Sequence, residues 1–136
     1  MRHLLGGMMA ASHPTTIVDM EAGLEHLSRG TARHVDTLLV IVEPYYKALE
    51  IGRKAAELGR ELGVQRILAV ANKIRDDEDA TAIREFAAAH SLPIAIEVPL
   101  DDRIRRGDLA GHAPIDIADS PAVAALRALA GTLSDS

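Results

Sequence analysis

The chain has no cysteine and no tryptophan, and only one phenylalanine and two tyrosines in 136 residues. Without cysteine there are no disulfides and no thiolate metal site. The same absence fits a reducing compartment, so a cytoplasmic location is expected. So few aromatic rings leave no platform on which single-stranded nucleic acid could stack. Positive charge is also short. Fifteen Lys and Arg stand against twenty Asp and Glu, for a net charge of −5. That balance disfavours loose binding to a polyanion, and no nucleic-acid partner is expected. No apolar run approaches the ~18 residues that a membrane span needs, so no membrane partner is expected either. Arg2 and the apolar stretch 4–11 have the outline of a signal peptide, but the stretch is brief and broken by Gly6 and Gly7. Missing too is Gly-x-x-x-x-Gly-Lys-Ser/Thr, the loop that cradles nucleotide phosphates. Gly6 and Gly7 are followed by Met8, not by Lys.

What is present is aliphatic. The chain is 48% hydrophobic, carried by Ala, Val, Ile and Leu, which suits one α/β domain over 1–136. Leu4, Leu5, Met8 and Met9 share a helical face over 2–11, ended by Pro14. A β-branched strand over 16–19 follows, then a loop and a short helix within 25–34. The run 36–43 is nearly all apolar in its middle, as strands covered on both faces are. Pro44 stops it. From 47 to 62, Ala48, Ile51, Ala55, Leu58 and Leu62 recur at helical steps, with Gly63 as the C-cap. Gly52 and Gly59 lie on one side with Ala55 and Ala56, a face expected to pack closely on the sheet. A strand over 67–72 comes next, then a helix over 80–90 capped by Asp79. The last strand covers 93–98, and a short polar helix covers 101–110. Ser120-Pro121 opens a final helix whose expected core face is Val123, Leu126, Ala130 and Leu133. Alternation at this spacing predicts a parallel sheet with right-handed crossovers.

In such sheets ligands bind beyond the C-terminal strand ends. Three ends carry suitable groups. Asp19 closes the first strand, and Gly23 follows four residues later. The acid can reach Mg²⁺ through water, and the glycine lets a backbone N–H approach a γ-phosphate. Asp-x-x-x-Gly alone occurs often by chance. Asn72-Lys73 ends a second strand. Taken alone it is as readily a polar loop, but an Asn there can bond a purine edge with both amide groups. Guanine would need an acid at position 75, which is Arg, so adenine is favoured. Pro99, Leu100 and Asp101 end the last strand. Glu21, Glu25 and His26 read as a solvated loop or, alternatively, as a dimer or client contact. The six histidines show no ligand spacing, so no metal site is expected.

The run DMEAGLEHLSRGT resembles the segment after the Walker B strand in the CooC-type accessory ATPases that mature carbon monoxide dehydrogenase. These belong to the MinD/ParA-like deviant-Walker P-loop superfamily. The resemblance implies a Rossmann-like P-loop NTPase fold, seen here as its C-terminal half without the P-loop strand and helix. It implies ATP and Mg²⁺ as cofactors. Asp19 becomes the Mg²⁺-linked Walker B acid and Gly23 the switch II contact to the γ-phosphate. Asn72 becomes the adenine contact, Lys73 its neighbour, and Pro99, Leu100 and Asp101 the other side of the base. Arg105-Arg106-Gly107 departs from the small and acidic residues of the family. The implied function is nickel insertion into carbon monoxide dehydrogenase, with a homodimer or a P-loop-bearing protein as partner and a metalloenzyme as client. Lacking the phosphate cradle, the chain alone is expected to bind nucleotide weakly and not to hydrolyse it. A non-catalytic partner or regulatory module, or a fragment without its own role, are the alternatives. In the superfamily the P-loop strand lies between those matching 16–19 and 38–42. With it gone, these two strands are expected to pair directly or to take a partner strand between them.

Overall fold

The computed structural model describes residues 15–20 and 28–134. Its elements alternate as expected: α1 (Arg29–Ala32), β1 (Thr37–Val42), α2 (Tyr46–Glu61), β2 (Arg66–Ile74), α3 (Asp77–Ala89), β3 (Ile94–Pro99), α4 (Asp102–Leu109), a 3₁₀ turn at Pro114–Asp116, and α5 (Pro121–Ser134). The strands form one parallel sheet in the order β1-β2-β3. Thr37 to Val42 pair in unbroken register with Arg66 to Ala71.

Two cores sandwich the sheet. On one face Val40 and Val42 of β1, Ala69 and Ala71 of β2, Leu49 and Ala56 of α2, and Ile83 of α3 form a buried cluster, with Leu92 beside them. Ile83 is only 1% exposed. Burying a side chain of that size stabilises by about 1.5–3 kcal/mol. On the other face Val70 and Val98 meet Ala122 and Leu129 of α5, with Ile104 of α4 packed alongside.

The glycine side of α2 is the one that packs. A methyl on Gly52 would collide with Val42, and one on Gly59 would lie 2.7 Å from Leu38 Cδ2. The helix therefore turns Leu49, Gly52, Ala56 and Gly59 inward, while Ile51, expected inside, is exposed. Small residues allow the backbone to approach the sheet, and that closeness outweighs burying one larger side chain. Gly63, at φ +83°, ends the helix as expected.

Other expectations shift. Asp76, not Asp79, caps α3, its carboxylate accepting from the Asp79 N–H at 2.9 Å. The inward face of α5 is Ala122, Ala125, Leu129 and Leu133, with Val123 also buried. Leu126 and Ala130 instead line an open groove with Ala113, Pro114 and Ile115. Here too the alanines give the closer approach to the sheet. Gly107 of α4 packs under Ile117, while Arg105 and Arg106 reach the exposed Asp102.

The largest correction concerns 16–19. Residues 15–20 form no strand, and Ile17 is 88% exposed. Direct pairing with β1 does not form. A parallel strand needs both a ladder partner and a covering layer, and among the described residues this segment has neither. The expected helix over 2–11, and Glu21, Gly23, Glu25 and His26, lie outside the described residues.

Candidate functional site at the carboxyl ends of the strands

The three strands end side by side. β1 leaves the sheet at Glu43-Pro44-Tyr45, β2 at Asn72-Lys73-Ile74, and β3 at Pro99-Leu100-Asp101. Ala71 pairs with Glu97 and Ile74 with Pro99. Two residues of β2, Asn72 and Lys73, thus stand opposite the single Val98. This is a β-bulge, and Lys73 adopts φ +59° within it. Beyond the bulge the ladder resumes, with the Leu100 N–H donating to the Ile74 carbonyl at 2.8 Å.

Bulge and ladder bring four of the expected site residues together. Asn72 is half-buried, and its side-chain amide has no partner among the described residues. Pro99, paired with Ile74 just past the bulge, ends β3, and Leu100 after it is 49% exposed. An unpaired amide flanked by apolar surface is what a flat heteroaromatic base requires. Lys73 lies next to Asn72, but its ammonium is engaged elsewhere, 2.8 Å from Glu43 Oε1.

Asp101 has a structural duty. Its carboxylate caps α4 by accepting from the Arg103 N–H at 3.0 Å, and it binds the Arg103 guanidinium at 2.9 and 3.0 Å. The Ser120 hydroxyl donates to it at 2.6 Å. Arg103 first, then Ser120, hold its pKa down at about 2. Asp19 is exposed and lies on no strand end. Gly23 lies outside the described residues.

Sequence reasoning missed two pairs. Glu43 binds Lys73 through one oxygen and accepts from the Tyr45 hydroxyl at 3.0 Å through the other. Lys73 holds the Glu43 carboxyl below its ordinary value against the effect of burial, and Tyr45 adds to the lowering. Glu43 in turn raises the pKa of Lys73. The signal was available: aligned parallel strands place Glu43, one residue past Val42, beside Asn72. In the second pair, the buried Asp79 accepts from both the Arg75 N–H and the Arg75 guanidinium. The Arg75 guanidinium keeps the Asp79 carboxyl below its usual range. No acid stands free at position 75 to read guanine.

The phosphate side is poorly furnished. The helix that follows Asn72 opens with Asp77, Glu78 and Asp79, which repel rather than attract an anion. Among the described residues no group of three or more His, Asp or Glu could hold a metal ion. Asp19 could contribute to Mg²⁺ only together with oxygens from elsewhere. No helix among the described residues is long and apolar enough to cross a membrane.

No family model matches the chain. The carbon monoxide dehydrogenase accessory protein CooC of Rhodospirillum rubrum is 33% identical over 121 residues, which is 89% of this chain and 44% of that protein. The uncharacterized ATP-binding protein MJ0823 of Methanocaldococcus jannaschii is 30% identical over 118 residues, 86% of this chain and 45% of that one. Among solved structures, the MinD cell division protein of Aquifex aeolicus superposes with a TM-score of 0.69, covering 84% of this chain and 50% of that one, at 14% identity. That likeness identifies the α/β fold as the P-loop NTPase type. The chain spans less than half the length of the curated relatives it matches. Its sequence matches part of CooC and of ATP-binding relatives, and its fold is that of MinD.

Proposed function

We propose that this chain supplies the base-binding side of an adenine-nucleotide site in a CooC-like ATPase of metalloenzyme maturation, with nickel as the cargo and carbon monoxide dehydrogenase as the client. The carrying observation is the position of Asn72, half-buried at the end of β2 with no side-chain partner among the described residues, beside the end of β3 that bears Pro99 and Leu100. ATP would present its base to Asn72, with Pro99 and Leu100 excluding water from the ring. Mg²⁺ would be reached through Asp19, and the γ-phosphate through the backbone at Gly23. The bound nucleotide supplies the free energy of hydrolysis. This chain's own residues orient the base and leave the phosphates without a lysine. Unaided hydrolysis is therefore not expected, since phosphate-side electrostatics supply most of the rate in such sites. Calorimetric titration with ADP and GDP tests the reading. Weak ADP binding, stronger than GDP and lost in Asn72→Ala, is expected. Tighter GDP binding, or ATP turnover that depends on Asp19, would overturn it.

A second reading is favoured by the outer edge of β1, unpaired among the described residues. The chain would then act as a non-catalytic module that pairs with a P-loop-bearing protein, or as one subunit of a homodimer. Upstream DNA separates these readings. An in-frame Gly-x-x-x-x-Gly-Lys-Ser/Thr would restore the enzyme, and its absence would favour the module. A cytoplasmic location fits either.

A further inference from the structure

Lys73 is a lysine in a conformation that favours glycine, at φ +59°. Its position explains why the conformation matters. If Lys73 were extended, the bulge would vanish and β2 would slip by one residue against β3. A one-residue slip turns every following side chain to the opposite face. Ile74 would leave the core it packs against, and the bond from Leu100 N–H to the Ile74 carbonyl would break. The offset that sets Asn72 relative to Pro99 and Leu100 at the strand ends would be lost. The left-handed turn at Lys73 therefore sets the spacing of both sides of the base site.

A left-handed backbone is unfavourable for lysine, whose Cβ crowds the following carbonyl, so an external hold is called for. The structure shows one. Glu43, one residue past the end of β1, takes the Lys73 ammonium at 2.8 Å. The Tyr45 hydroxyl donates to the other carboxylate oxygen at 3.0 Å, which favours this orientation of the carboxylate. Pro44 sits between the two and stiffens the link.

We propose that Glu43 is a positioning residue: with Tyr45 it clamps Lys73 in the left-handed bulge and so aims the Asn72 amide at the base. The assignment rests on the base-site reading above. It makes Lys73 a backbone device whose ammonium faces β1, not the nucleotide.

Glycine reaches a positive φ without a clamp, and that provides the test. Wild type, Glu43→Ala, and the double variant Glu43→Ala/Lys73→Gly are compared by NMR and by ADP titration, with thermal melts to confirm folding. In Glu43→Ala the Lys73 HN–Hα coupling and Cα shift should leave their left-handed values, and ADP affinity should fall about tenfold. The double variant should regain wild-type affinity. A Tyr45→Phe variant should give a smaller change of the same sign. If Lys73 stays left-handed in Glu43→Ala, the clamp is wrong. If the double variant binds as weakly as Glu43→Ala, Glu43 meets the ligand directly and the positioning role fails. If wild type shows no ADP binding while Lys73 still changes conformation in Glu43→Ala, the base-site reading falls and the clamp stands.

Discussion

β3 and β1 both lie at an edge of the sheet among the described residues, but they are built for different surroundings. β3 is preceded by Pro93 and ends on Pro99, and its Glu97 is bound to Arg84 of α3 at 2.5 and 2.7 Å. Its register against β2 shifts twice in six residues. Prolines, an engaged charge and irregular pairing are how natural edges avoid recruiting further strands. Within Thr37–Val42, β1 has none of these. It reads Thr-Leu-Leu-Val-Ile-Val, pairs in perfect register, and leaves Ile41 56% exposed between buried Val40 and Val42. The second core also covers the sheet unequally, since α5 packs chiefly on β3. The contrast shows that β1 has the composition of an interior strand.

The comparison can be broken most strongly beneath β1. Gly52→Val should destabilise by about 1–3 kcal/mol, because its methyls meet Val42 and Val40 in a filled core. A lower urea midpoint at unchanged slope would show it. An unchanged midpoint would mean that α2 does not seat on β1 as described. Next in size is association. Wild type should self-associate through the β1 edge at high concentration, and Ile41→Lys should weaken this about tenfold, or ~1.4 kcal/mol. Folding stability should stay within about 0.5 kcal/mol, as for other surface changes. Light scattering over a concentration series would decide, and equal association in both proteins would remove β1 as the sticky edge.

The end of β3 yields a pH effect. Asp101 titrates at about 2 in the fold against an ordinary 3.8. A depressed folded pKa gives a contribution that is complete above the unfolded value and lost as pH falls toward the folded one. Asp101→Asn should therefore flatten the acid limb of the stability curve between those two values and lower the plateau above it. A curve parallel to wild type would show that Asp101 is not engaged in solution. The smallest effect belongs over β3. Nothing lies within 4 Å of a methyl built on Gly131 of α5, so Gly131→Ala should gain up to about 1 kcal/mol.

Much of this was legible from pattern. The run 36–43 gave β1 almost to the residue, because alternation with helices and apolar content on both faces leaves few other readings. Ser120-Pro121 marked the start of α5, and the Ser120 hydroxyl accepts from the Val123 N–H at 3.2 Å. Asn72, Pro99 and Leu100 were expected at neighbouring strand ends because parallel strands bring their carboxyl ends together, and they lie there. The inward side of α2 was legible from Gly52 and Gly59, although Ile51 of the apolar repeat is exposed. The face of α5 was misread because Ala122 carries less hydrophobic weight than Leu126 while permitting closer approach. The strand at 16–19 was misread because β-branched composition reports a preference, and pairing requires a neighbour. The clamp on Lys73 was hidden because a left-handed lysine has no sequence signature.

The carboxylate of Asp101 serves two helices at once, accepting from the Arg103 N–H of α4 and from the Ser120 hydroxyl that caps α5. Neither cap can open without disturbing the other. In amide exchange, the protons of Arg103 and Val123 should therefore report a single opening event with a shared rate, although twenty residues separate them. A ligand resting on Leu100 would sit one residue from this shared carboxylate. Occupancy at the strand ends would then be felt at the start of α5, on the far side of the 3₁₀ turn, as a change in exchange rate with no contact made there.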